Sequence, residues 1–237
     1  MSKKRVGIVL VTLVALCSLA LNGVLIMRGG YIDKVLFKLG IKESITETNW
    51  TLVSWERSLK QLDYDADIVF FGDSITSNGD FQNHFAYQRI VNLGVSGDSL
   101  TGMRNRVEML ASVKPEKVFI MGGINSLSDK NSEKIFQQYE ALIDEIQAML
   151  PEAQLYIESI LPISKEKEKN CADNTVIASF NEKLQELATE KDLTYIDLYS
   201  LYVLDGYMNP KLTKDGLHLQ PDAYEYWFDA IETYVNE

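Results

Sequence analysis

The sequence predicts an α/β domain around a parallel sheet of about five strands, and three observations carry that prediction. Short apolar runs at Ile68–Phe71, Ile90–Leu93, Val118–Met121, Leu155–Ile160 and Leu193–Leu198 have the length and composition of buried strands. Between them, Leu100–Ser112, Glu133–Leu150 and Thr175–Ala188 repeat apolar residues at helical spacing, and Tyr224–Val235 closes the chain as a last helix. Strands alternating with helices give βαβ units and a sheet covered on both faces. The third observation is where the polar candidates fall: each follows a predicted strand or lies in a late loop, and ligands of such sheets bind at the carboxyl ends of the strands.

Val6 to Met27 is an apolar run interrupted only by Gly7, Thr12, Ser18, Asn22 and Gly23. At about 1.5 Å per residue its 22 residues extend roughly 33 Å as a helix, enough for a hydrocarbon core of about 30 Å. The sequence therefore predicts an N-terminal membrane anchor over residues 1–27, with Val6 to Met27 as its transmembrane helix. Lys3, Lys4 and Arg5 precede it, which keeps that end in the cytoplasm and places the rest of the chain outside as a single-pass protein of the cell membrane. The alternative is secretion after cleavage of a signal peptide, since Ser18-Leu19-Ala20 has the small-x-small form. Val24–Met27 extends the apolar run past that point and favours the anchor. Bulky Leu16 weighs against a lipid-modified Cys17.

Residues 28–49 form a juxtamembrane connector and the start of a leading helix that runs from about Ser44 to Leu62, with Trp50 and Trp55 expected to pack. Residues 50–237 are expected to form the folded domain, and 237 residues in all suit one domain plus an appendage. Lys165–Lys169 alternates lysine and glutamate and is expected on a solvated loop or helix surface. A net charge of −11 makes nucleic acid an improbable partner, because phosphate neutralisation needs a basic face. Two histidines and two cysteines without ligand spacing leave no expectation of a metal, and nothing in the chain calls for a cofactor. Cys171 is expected to be an inert thiol and His84 an exposed loop residue.

Ser74 ends the first strand as an exposed hydroxyl in Gly72-Asp73-Ser74-Ile75. A serine hydroxyl attacks a carbonyl only when a base takes its proton and a third group orients that base. His218 is the candidate base, since imidazole ordinarily titrates near neutrality. Asp215, three residues earlier, can reach its Nδ1–H from a turn or short helix. Acyl transfer also needs donors aimed at the oxyanion. The Ser74 N–H, a glycine N–H from Gly94-Val95-Ser96-Gly97 and the Asn125 amide can supply three, and the chemistry leaves Gly94 and Gly97 both open. The order serine, aspartate, histidine is that of α/β-hydrolases, but Thr76 breaks their G-x-S-x-G elbow, so a different arrangement is implied.

Four blocks, Gly72–Ile75, Asn92–Asp98, Gly123–Asn125 and Asp215–His218, resemble those of the SGNH (GDSL-type) hydrolases, and Trp55 through Ile75 resembles the platelet-activating-factor acetylhydrolase-like branch. The resemblance spans roughly residues 50–235. It implies a flavodoxin-like three-layer α/β/α sandwich and metal-independent esterase, lipase, thioesterase or carbohydrate deacetylase activity. It also implies Ser74 as nucleophile, Asp215 and His218 as the rest of the triad, and Ser74, Gly97 and Asn125 as the oxyanion hole, Gly97 being the glycine directly before Asp98. The third block commonly continues with aspartate. Ser126 stands there instead, which bears on the support of that loop.

Each residue taken alone has an ordinary use, Asp73 or Ser74 as a helix cap and the glycines as turns. Four blocks in the right order favour an extracytoplasmic serine esterase acting on small acyl groups, such as O-acetyl, of surface glycans or lipids. Loops Asp98–Thr101, Pro162–Asn174 and Asp205–Lys214 are expected to select the substrate. An O-acyltransferase using the same serine is the alternative, and a binding protein on a retained hydrolase fold is a weaker one.

Overall fold

The computed structural model describes residues 65–169 and 171–237. The expected membrane span, connector and leading helix, with Cys17, Trp50 and Trp55, lie outside the described residues. Among the described residues no helix is long and apolar enough to cross a membrane.

Five parallel strands form the sheet: β1 (Ile68–Gly72), β2 (Ile90–Gly94), β3 (Lys117–Met121), β4 (Gln154–Glu158) and β5 (Thr194–Ile196). Their order is β2-β1-β3-β4-β5, the flavodoxin-like order, whose strand sequence reverses between β1 and β3. Alternation along the strands sorts the core into two halves. Val69 and Phe71 of β1 share one buried cluster with Leu93, Val118, Ile120 and Ile157, whereas Ile68 and Phe70 share the other with Ile90, Phe119 and Ile196. A side-chain period of two sends neighbours to opposite faces, so both faces of the sheet are apolar and both need cover.

The first face is covered by α3 (Leu100–Arg104), α4 (Glu108–Val113), α5 (Ser132–Met149) and α6 (Asn174–Glu190). Buried Ile135, Tyr139, Leu142, Ile143 and Ile146 form the helical stripe of α5. Asp173 starts α6 by accepting from the Thr175 and Val176 N–H groups, both at 2.9 Å. The second face is covered by α1 (Ser74–Ser77), α2 (Phe81–His84) and the final helix α8 (Tyr224–Asn236), which buries Tyr224, Trp227, Phe228, Ile231 and Val235. A short helix α7 (Tyr199–Tyr202), a hairpin of β6 (Val203–Leu204) and β7 (Tyr207–Met208), and single 3-10 turns at Lys167–Lys169 and Pro221–Ala223 complete the described elements.

Three expectations change. The helix expected over Leu100–Ser112 is two, because the chain turns at Asn105–Val107 and sends Arg106 inward. The fourth strand stops at Glu158; Ser159 N–H still donates to the Ile196 carbonyl of β5 at 3.0 Å, but from Ile160 to Ile163 the backbone leaves the sheet, and Asn181 and Asn174 side chains satisfy the Ile160 and Ile163 N–H and C=O groups. Two bidentate amides thus replace a strand neighbour for a buried irregular segment. His84 ends helix α2 instead of lying in a loop; it is exposed, stacks on Phe228 and sits 3.8 Å from Glu225.

Glu158, at the end of β4, is buried. Its Oε1 accepts from Trp227 Nε1 at 2.6 Å, while Oε2 has no partner among the described residues. Burial pushes its carboxyl up to about 8, against which the Trp227 N–H acts. The folded state therefore holds this proton more firmly than the unfolded chain, whose carboxyl titrates near 4.5. The resulting stabilisation is complete below about pH 4.5 and lost as pH rises through about 8. Glu158→Gln should flatten the fall of Tm between pH 5 and pH 9, with a melting point on the order of 5 °C above wild type at the alkaline end; calorimetry across that range checks it.

Candidate active site

Ser74 is the first residue of α1, directly beyond β1. Asp73 caps that single turn, its Oδ1 accepting from Ile75 N–H at 2.9 Å. The serine is 6% exposed, so it lies under cover and not open on the strand end as expected. Its Oγ is 3.0 Å from His218 Nε2, and His218 Nδ1 is 2.8 Å from Asp215 Oδ2. The other carboxylate oxygen of Asp215 accepts from the His218 N–H at 2.8 Å and the Leu217 N–H at 3.1 Å. Burial opposes ionisation of Asp215, but these N–H groups and the imidazole outweigh it and hold the carboxyl well below the usual carboxylate range. With Asp215 anionic, Nδ1 carries the imidazole proton, Nε2 is the acceptor and the Ser74 hydroxyl donates to it.

The loop carrying this pair is tied at both ends. Thr213 and Leu219 form an antiparallel bridge, Thr213 Oγ1 donates to the His218 carbonyl at 2.7 Å, and Gly216 C=O accepts from Ser164 N–H at 2.8 Å. Lys167 Nζ stands 3.8 Å from Asp215 Oδ2. Part of the Pro162–Asn174 stretch, expected to select substrate, therefore braces the Asp215–His218 loop.

The two glycines that chemistry leaves open separate here. Gly94 closes β2 with its N–H spent on Asn92 Oδ1 at 2.9 Å, and a Cβ at Gly94 would lie 2.2 Å from Ser77 N. Its role is close packing against α1. Gly97 is the third residue of a turn closed by Asp98 N–H to Val95 C=O at 3.1 Å, and its φ of 75° is the left-handed value a type II turn requires there. Among the described residues neither the Ser74 nor the Gly97 N–H donates to a protein acceptor. Asn125 Nδ2 lies 2.9 Å from the Asp98 carbonyl and 3.4 Å from Asp73 Oδ2. Support for its loop comes from elsewhere than the Ser126 side chain: Asn131 donates to the Ser126 carbonyl at 2.9 Å and accepts from Ser128 N–H at 2.7 Å. No cluster of side chains fit to hold a metal ion occurs among the described residues.

The GDSL-like lipase/acylhydrolase family model matches residues 70–226 of this chain. The chain belongs to that family. It is accordingly a hydrolase acting on esters. Solved structures with the same fold include an acylhydrolase, so described provisionally, from Bacteroides fragilis, at 21% identity and a TM-score of 0.69 over 80% of this chain and 98% of that one. A protein of Streptococcus pneumonia provisionally described as a platelet activating factor gives 23%, 0.67, 78% and 92%. A GDSL-like lipase of Bacteroides thetaiotaomicron gives 18%, 0.66, 78% and 97%. Curated N-acylneuraminate cytidylyltransferases of Streptococcus agalactiae are 23% identical over 174 residues, 73% of this chain. The chain spans 40% of the length of these relatives.

In this GDSL-like hydrolase the residues expected from sequence meet at one sheet edge: Ser74 beyond β1, Gly97 beyond β2, Asn125 beyond β3, and Asp215 and His218 from the loop before α8. That edge includes the point where the strand order reverses, the usual ligand crevice of such sheets. Three residues there have roles the sequence did not reveal, and Asp98, expected to open a substrate-selecting loop, is instead fully buried. Asn92 donates to the Thr76 and Gly79 carbonyls and fastens α1 to β2. Asp98 and Arg106 form a buried ion pair at 2.7 Å behind the Gly97 turn. Arg106 follows Met103 by three residues and precedes Leu110 by four, so a charged residue on the apolar stripe was the available signal. Asp73 lies in the same pocket, where burial pushes its carboxyl up to about 7. Cys171 is half-buried, and burial raises its thiol, as befits an unreactive sulfur.

Proposed function

We propose that the chain is a membrane-anchored, extracytoplasmic serine esterase that removes small acyl groups, acetyl above all, from hydroxyls of surface glycans or lipids. The observation that carries this reading is the unbroken series Asp215–His218–Ser74, with contacts of 2.8 and 3.0 Å. Ser74 Oγ attacks the ester carbonyl and its proton passes to His218 Nε2, leaving an imidazolium that Asp215 stabilises. Negative charge developing on the carbonyl oxygen meets the Ser74 and Gly97 N–H groups. The Asn125 amide joins them by exchanging its longer contact, at 3.4 Å with Asp73, for the oxyanion. The imidazolium protonates the departing alcohol, and His218 then draws a proton from the water that hydrolyses the acyl-enzyme. No metal or cofactor is required by these steps.

The address follows from the Val6–Met27 run behind Lys3-Lys4-Arg5. The preference for a carbohydrate carrier has support in relatives named for N-acylneuraminate, itself an acylated sugar acid. The full-length protein in detergent should hydrolyse p-nitrophenyl acetate at least about 10-fold faster than the octanoate, as expected when extra methylenes find no pocket. Equal rates, or a preference for octanoate, would replace the deacetylase reading with a lipase. Mature protein beginning near Leu21 would replace the anchor with secretion.

A further inference from the structure

We infer that Arg106 is a positioning residue for ester hydrolysis, holding the backbone donors of Ser74 and Gly97 in one rigid frame. This rests on the serine-esterase reading above. Its guanidinium reaches three separate segments at once. Nη2 donates to the Gly72 carbonyl at 2.8 Å, two residues before Ser74. Nη1 donates to the Leu93 carbonyl at 2.7 Å, four residues before Gly97. Nε donates to Asp98 Oδ2 at 2.7 Å, the residue after Gly97.

Each contact therefore fixes backbone next to an N–H that faces the reacting carbonyl. The third arm of the site is indexed to the same frame, since Asn125 donates to the Asp98 carbonyl at 2.9 Å. Val95 N–H adds a direct link between the two strand ends by donating to Gly72 C=O at 3.0 Å.

Only a planar fork meets three acceptors in fixed directions; an ammonium is a point charge on a flexible stem. The setting is built to keep the fork still. The side chain is 5% exposed and Asp98 fully buried, and the guanidinium lies 4.2 Å over the Phe71 ring. Here two of the three acceptors are carbonyls at the strand ends that lead into Ser74 and Gly97, which is where a small displacement costs transition-state stabilisation and little ground-state binding.

The test is Arg106→Lys in the full-length protein, assayed with p-nitrophenyl acetate per active site titrated, at a temperature well below its melting point. The expected result is a kcat lower by about 10²-fold, the scale of losing one oxyanion donor, with KM changed less than about 3-fold. The Ki of an arylboronic acid, which forms a tetrahedral adduct with serine, should rise in parallel, as transition-state mimicry requires. Loss confined to the number of titratable sites, with kcat per site unchanged, would overturn the inference. If Arg106→Lys does not fold, Asp98→Asn carries the same test: its kcat should fall with KM preserved, and an unchanged kcat would overturn the inference equally. Ser74→Ala run alongside separates the two claims. Hydrolysis at wild-type rate by Ser74→Ala defeats the serine reading itself, whereas a Ser74-dependent enzyme that keeps full kcat in Arg106→Lys defeats only this one.

Discussion

Ser74→Ala should lower kcat/KM for p-nitrophenyl acetate by at least about 10⁴-fold, the range in which loss of a triad serine falls. In the proposed mechanism the hydroxyl oxygen forms the bond to carbon, and His218 Nε2 lies 3.0 Å from it. The backbone donors survive the substitution, so residual stabilisation of the transition state remains, but without an acyl-enzyme. Stability should change little: the substitution removes one oxygen from a side chain that lies beside an imidazole. Circular dichroism and Tm measured on the same preparation separate loss of chemistry from loss of fold.

Asp215→Asn should cost about 10³–10⁴-fold in kcat, close to the effect of a triad aspartate replaced by its amide. Two physical changes add. The charge that offsets the imidazolium disappears, and an amide NH₂ facing Nδ1 favours the tautomer with the proton on Nε2, the nitrogen that must accept from Ser74. The geometry sharpens the expectation, because Asp215 also accepts from the His218 and Leu217 N–H groups through its second oxygen. An asparagine that keeps its carbonyl toward those N–H groups necessarily turns its NH₂ to the ring. Steady-state kinetics over a pH series measure this directly; retention of more than about a tenth of the wild-type kcat contradicts the assigned role.

The site was legible in sequence to the extent that it is made of single residues placed just after strands. β1, β2 and β3 are short, buried on both faces and nearly uniformly apolar, so their ends could be read, and Ser74, the Gly94–Gly97 loop and Asn125 follow from those ends. The Asp215–His218 contact is local, three residues apart, and needed only a turn. That His218 meets Ser74 across 144 residues is a product of topology, and the sequence supported it only through the order of the blocks.

What escaped was decided by long-range partners. Nothing near Arg106 in the chain announces that carbonyls of Gly72 and Leu93 await it, so the break between α3 and α4 read as continuous helix. Likewise the apolar stretch Leu155–Ile160 looked like one strand. Its last residue leaves the sheet because Asn181, on α6, takes over the backbone of Ile160. Chemistry left Gly94 and Gly97 both open and the resemblance alone pointed to Gly97; that the Gly94 N–H is already spent on Asn92 is a fact of packing.

The most direct test of the central claim is mass spectrometry of the full-length protein quenched in acid during the burst phase with p-nitrophenyl acetate, followed by peptide mapping. Acyl transfer through Ser74 leaves one acetyl group on the peptide containing Ser74, absent from Ser74→Ala and accumulating as deacylation limits turnover. Turnover with no acetylated Ser74, or with the acetyl group on another residue such as Cys171, would contradict it.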